Sequence, residues 1–202
     1  MVLAIHATFE TFGYAHAKSI LAAPSSWLGI TTSASACFGC VDIFILITGW
    51  FGTSFKLRGA FKLAAQVIFI SLAMYPFLLL LGKDMPQNFY DFIEVIWGYW
   101  FIRCYLVLYL FTPVLNSYLQ SVDEKTLRRF LVAFFVITIP FSFVSPDLSY
   151  GYSTLSFMGL YMLGRYLRLY LSARLMHINK YWFLLIWATC VSSMSLDRKS
   201  VV

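Results

Sequence analysis

The sequence predicts an all-α fold, a polytopic transmembrane helix bundle, and three observations predict it. Of 202 residues, 60% are hydrophobic and 12% charged, with a mean hydropathy of +0.76. A soluble domain of that length cannot cover so much apolar surface. The apolar residues are gathered into runs approaching the ~20 residues that a helix needs to cross a bilayer. The basic residues collect in alternate links between those runs, as they do on the cytoplasmic side of multi-span proteins. The 19% of aromatic residues suits a chain with two membrane–water interfaces.

Seven apolar segments follow in order. Span 1 covers Met1 to about Phe9 and opens already inside apolar sequence. Span 2 runs from about Ala34 to Gly52 and span 3 from about Leu63 to Gly82. Span 4 covers about Trp100 to Leu119. Span 5 covers about Phe130 to Val144, where Pro140 and Pro146 are expected to bend or end it. Span 6 runs from about Thr154 to Tyr170 and span 7 from about Tyr181 to Leu196.

Lys56, Arg58 and Lys62 fall between spans 2 and 3; Lys125, Arg128 and Arg129 fall between spans 4 and 5. Arg165, Arg168, Arg174 and Lys180 surround the link between spans 6 and 7. The other side carries Lys18 and Lys83. The richer side is therefore expected to be cytoplasmic, with the N-terminus on that side too. A net charge of +6 is thus accounted for by topology, and no nucleic-acid partner is implied. The start lacks the basic region and cleavage site of a signal peptide. The abrupt first span and the polar turn at Asp197–Val202 lead us to expect one domain over 1–196, truncated at both ends, with 197–202 a non-native tail.

Polar groups inside the apolar runs are few. Arg103 stands in Tyr99-Trp100-Phe101-Ile102-Arg103-Cys104-Tyr105-Leu106. A charge at mid-helix costs about 2.5–3.5 kcal/mol on insertion scales, so it marks a functional site by default. The alternative is a structural ion pair, with Asp42 as one partner. Tyr105, Tyr109, Thr112 and Asn116 recur on the other face of span 4 at spacings of four, three and four. That period puts them on one helix face, which lines a cavity or makes interhelical hydrogen bonds. Pro113 frees the carbonyl of Tyr109 and is expected to bend the helix.

His6 lies in Val2-Leu3-Ala4-Ile5-His6-Ala7 and titrates near neutrality, as a general base must; the plainer reading is a solvated interfacial histidine. Asp42 lies roughly 12 Å into span 2 at 1.5 Å per residue, in the outer half of the bilayer. It reads equally as a functional carboxylate or as a helix cap. Both belong to the outward half, so Asp42 could orient the imidazole in a base-plus-orienter pair. The basic stretch Phe55–Lys62, with Lys56, Arg58 and Lys62, and later Arg165 and Arg168, reads as topology or as a site for a phosphorylated cytoplasmic donor. Cys37-Phe38-Gly39-Cys40 has the spacing of redox and zinc sites, but no second pair accompanies it. Cys37, Cys40, Cys104 and Cys190 are read as packing residues. No glycine-rich phosphate loop, GxSxG elbow or HExxH motif is present, so no metal site is expected.

Three strings in order resemble the acyltransferase 3 family of bacterial membrane acyltransferases. They are His6 in a first span, Val41-Asp42-Ile43-Phe44 through Gly49 in a second, and Trp100-Phe101 through Pro113-Val114-Leu115-Asn116. Leu163-Gly164-Arg165-Tyr166-Leu167 is similar to a later glycine-containing helix of that family. The resemblance covers nearly all of residues 1–190. It implies about ten spans in the intact protein, in the bacterial cytoplasmic membrane. It further implies transfer of an acyl group, commonly acetyl from acetyl-CoA, to a hydroxyl of a surface polysaccharide or glycolipid.

On this reading His6 matches the essential histidine of the first span. An arginine that the family places about three turns earlier would lie upstream of Met1. His6 and Asp42 are then the catalytic candidates. Arg103, Tyr105, Tyr109 and Asn116 are the substrate-binding candidates, and Lys56, Arg58 and Arg165 the donor-binding ones. The donor is acyl-CoA, with no bound cofactor, and the partners are the glycan acceptor and the lipid bilayer. The competing readings are a transporter or flippase for a lipid-linked or anionic solute, with Arg103 as counter-ion, and a non-catalytic scaffold. Transporters often carry paired broken helices in two halves, and no such internal symmetry is visible.

Overall fold

The computed structural model describes residues 32, 39–80, 100–144, 153–177 and 179–200. Span 1, with His6, and the outward links at 81–99 and 145–152 lie outside the described residues. The described chain is helical, with no strand among the described residues. The helices are α1 (Cys40–Phe51), α2 (Leu57–Leu80), α3 (Trp100–Ser121), α4 (Glu124–Val144) and α5 (Thr154–Tyr166). α5 continues through a π-helical turn, Leu167–Leu171, into α6 (Ser172–His177), and α7 (Lys180–Ser200) follows.

α3 is the one described helix that satisfies both the length and the apolarity needed to cross a membrane; Cys40–Phe51 and Tyr181–Ser192 are shorter apolar stretches. Seven spans therefore remain an expectation. Helix ends differ from the apolar runs in a consistent way. α2 opens at Leu57, before the expected start at Leu63, and α4 opens at Glu124 rather than Phe130. The added turns carry Arg58 and Lys62, and Lys125, Arg128 and Arg129. Lys and Arg are good helix formers, so a helix runs past its apolar stretch while the charged heads stay in water. Pro140 lies inside α4 without ending it, and α7 continues to Ser200.

The chain divides into two compact units, one of residues 1–47 with 169–202 and one of residues 48–168. In the first, Tyr181, Trp182, Phe183, Leu184, Leu185, Ile186 and Trp187 are seven consecutive large apolar residues, each 47–63% exposed. Consecutive residues point all round a helix, and a helix that is apolar all round needs lipid or partner helices. In water this face would be an aggregation site.

In the second unit α5 packs against both α3 and α4. Phe157 and Tyr161 of α5 are fully buried, as are Leu108 of α3 and Leu127 of α4. Phe157 meets the rings of Trp100 and Phe101 at centroid distances of 6.2 and 5.9 Å. Gly159 lies directly under the ring of Phe134, where a Cβ would collide. Ser153 caps α5 by accepting a hydrogen bond from the N–H of Ser156 at 3.3 Å.

Pro113 deprives the Tyr109 carbonyl of its helical partner, and the Thr112 hydroxyl supplies one by donating to that carbonyl at 2.7 Å. α3 therefore continues to Ser121.

α4 is capped by Asp123, whose carboxylate accepts the N–H of Thr126 at 3.1 Å. The Thr126 hydroxyl and then its N–H hold the Asp123 carboxyl below its usual range. A carboxyl depressed in the folded state stabilises the fold above its unfolded pKa, and that contribution is lost as pH falls through the lower folded value. Asp123→Asn, which still caps, is expected to flatten the acid limb of thermal stability between neutral and strongly acidic pH. Asp123→Ala is expected to lower stability at neutral pH as well. Thermal unfolding of the detergent-solubilised protein across that range checks both.

Candidate functional site

A cleft of about 340 Å³ opens between α2 and α3, lined by Gly59, Lys62, Leu63, Gln66, Tyr105 and Tyr109. The α2 residues recur at spacings of three, one and three, and the two tyrosines are four apart. Each set is one helix face turned toward the other. Gly59 makes the room: a Cβ there would stand 2.6 Å from the Tyr109 hydroxyl.

That hydroxyl also fixes the start of α2. It accepts the N–H of Lys56 at 2.9 Å and donates to the Lys56 carbonyl at 3.3 Å. The Lys56 carbonyl in turn accepts the N–H groups of Gly59 and Ala60 in the first turn of α2. The Tyr109 ring packs on Phe55 at 5.2 Å between centroids. Tyr105 stacks on Phe101 at 5.8 Å, and its hydroxyl is hydrogen-bonded to the Thr48 side chain. Both tyrosines are thus held by packing and hydrogen bonds while one edge faces the cleft.

A polar junction lies deeper among α3, α5 and the link after α1. Asn116 donates to the Thr53 carbonyl at 2.9 Å. The Tyr161 hydroxyl lies 3.0 Å from that same carbonyl and 2.8 Å from Asn116 Oδ1. Its one proton is shared between two acceptors. The Gly49 backbone touches that of Tyr161 so closely that any Cβ would collide with the carbonyl; small residues permit such helix contact.

Gly52 ends α1 with φ of 71°, and its N–H bonds the carbonyls of Thr48 and Gly49. Against it rests the guanidinium of Arg165, with Nη1 2.6 Å from where a Cβ would stand. A cation at a helix C-terminus is favoured by the helix dipole. Arg168 lies over the ring of Trp50 at 5.4 Å.

The described site residues make different contacts. Tyr105 and Tyr109 line the cleft, whereas Asn116 joins Thr53 and Tyr161. Lys56 and Arg58 are exposed at the start of α2, and Arg165 is half-buried on the end of α1. Arg103 is exposed on α3. Asp42 is half-buried in the first turn of α1. His6, and with it the His6–Asp42 pair, lies outside the described residues.

Lys62 and Gln66 line the cleft; Lys62 belongs to the basic stretch expected to serve topology or a donor, and Gln66 was not among the candidates. Their signal was Arg58, Lys62 and Gln66 at four-residue spacing, with Gln66 an isolated polar residue in an apolar run. Thr53 and Tyr161 carried no such signal. The cleft presents one ammonium, one amide and two phenol edges, a set that suits an anionic group with polar oxygens.

No curated protein and no solved structure matches the chain. The family model Acyl_transf_3, an acyltransferase domain, matches residues 1–196. The chain belongs to the acyltransferase 3 family.

Proposed function

We propose that the protein is a multi-pass membrane enzyme that moves an acyl group, commonly acetyl, from acyl-CoA to a hydroxyl of a cell-envelope polysaccharide or glycolipid. The observation that carries the reading is the family match over residues 1–196, which supports an acyltransferase. The exposed apolar face of α7 and the span-length α3 support a place in the membrane. The distribution of basic residues supports an N-terminus and an α2 start on the cytoplasmic side of the inner membrane.

In the reaction the acceptor oxygen bonds the acyl carbon and the carbon–sulfur bond of the thioester breaks. His6 takes the hydroxyl proton and returns it to the CoA thiolate. Asp42 orients the imidazole, and Arg103 offers positive charge to the developing oxyanion or to an anionic acceptor. CoA reaches the protein from the cytoplasm, where Lys56 and Arg58 flank the α2–α3 cleft. Lys62 and Gln66 hold a donor phosphate or the polar chain behind it, with Tyr105 and Tyr109 forming the opposite wall.

Lys62→Gln is expected to raise KM for acyl-CoA roughly tenfold, the loss expected for one charge-assisted hydrogen bond, with kcat little changed. Steady-state transfer by membrane vesicles at varied acyl-CoA checks this. An unchanged KM would remove the cleft from donor binding.

A further inference from the structure

α4 carries a second concavity that this reaction does not use. It is a groove of about 370 Å³ lined by Arg128, Arg129, Val132, Ala133 and Val136. Residues at these spacings share one face of the helix. Both arginines are exposed, and among the described residues neither makes an ion pair or hydrogen bond. Val132 and Val136 are 58% and 66% exposed.

The order along the helix decides what fits. The arginines stand about 6–8 Å from the helix start at Glu124, and the valines about 12–18 Å from it, at 1.5 Å per residue. Positive charge therefore sits at the headgroup level and an apolar wall continues at the depth of acyl chains. A soluble anion would use the arginines and leave the wall bare. A partner helix would cover the wall but leave two cations without counter-charge. A molecule with an anionic head and a hydrocarbon chain satisfies both ends.

We propose that this groove binds an anionic glycerophospholipid, with its phosphate on Arg128 and Arg129 and an acyl chain along Val132 and Val136. Basic pockets at the cytoplasmic ends of membrane helices hold such headgroups. The proposal rests on α4 lying in a bilayer with its start at the cytoplasmic face, and on nothing about acyl transfer.

The test is native mass spectrometry of the full chain released from detergent with added phosphatidylglycerol or phosphatidylcholine of the same chain length. The expected result is retention of phosphatidylglycerol over phosphatidylcholine. R128Q/R129Q should weaken retention about tenfold or more, and R128K/R129K should preserve most of it. Val136→Trp, which fills the apolar wall and leaves the charges intact, should also reduce it. Competing inorganic phosphate should not displace the lipid. Equal retention of both lipids would overturn the proposal. So would retention unmoved by both R128Q/R129Q and Val136→Trp, or a lipid-free dimer covering the face. The acyl-transfer assay reads the catalytic proposal separately, so either can fail alone.

Discussion

His6→Ala is expected to lower acyl transfer about 10²–10⁴-fold, the contribution of a positioned general base, while the protein still inserts and folds. The imidazole is the one group in the proposed mechanism that both accepts the acceptor proton and delivers it to the leaving thiolate. Donor and acceptor binding rest on other residues, so the loss should fall on kcat, with KM for acyl-CoA nearly unchanged. Transfer of labelled acetyl from acetyl-CoA in membrane vesicles measures it, beside a thermal melt that shows the variant is folded. Full activity in the folded variant would end the His6 mechanism.

The second large effect is structural. Tyr161→Ala removes a fully buried ring and the hydroxyl shared between Thr53 and Asn116. Large-to-small changes of this kind cost about 3–5 kcal/mol. Tyr161→Phe keeps the ring and loses only the hydroxyl, at about 1 kcal/mol. The cost is moderated because the Thr53 carbonyl still accepts from Asn116. For a chain of this size that separates into a melting shift of roughly 10 °C or more for the alanine variant and a few degrees for the phenylalanine one. Equal shifts would mean that the ring contributes little and that the junction, not the packing, holds α5.

The family was legible in the sequence, because the strings around His6, Val41–Gly49 and Trp100–Asn116 stand in the family's order, and the family match covers them. The helical class was legible from hydropathy, which follows from the bilayer as solvent. Helix ends were not, because a hydropathy window stops at Lys62 or Arg129 while the backbone ladder continues through both. The role of Pro113 was half legible: spacing identifies the Tyr109 carbonyl that loses its bond, but not the Thr112 hydroxyl that replaces it.

The site shows the same division. The stripe Tyr105, Tyr109, Thr112 and Asn116 was visible as one face, but its members do different things. Tyr109 reaches Lys56, 53 residues away, and Asn116 reaches Thr53, 63 residues away. Such partners are set by how helices pack, which a periodicity cannot encode. Arg103 stands out in the sequence as a charge in an apolar run, and on α3 its side chain is exposed. Its proposed role rests on that charge.

The central claim is transfer of an acyl group to an envelope glycan, and mass spectrometry of that glycan tests it most directly. Polysaccharide from cells carrying the gene is compared with polysaccharide from cells lacking it, before and after mild alkali that removes O-linked acyl groups. The account predicts alkali-labile acyl groups only when the gene is present, and their loss in the His6→Ala strain. Identical acylation with and without the gene would contradict it and leave transport as the better reading of the same membrane helices.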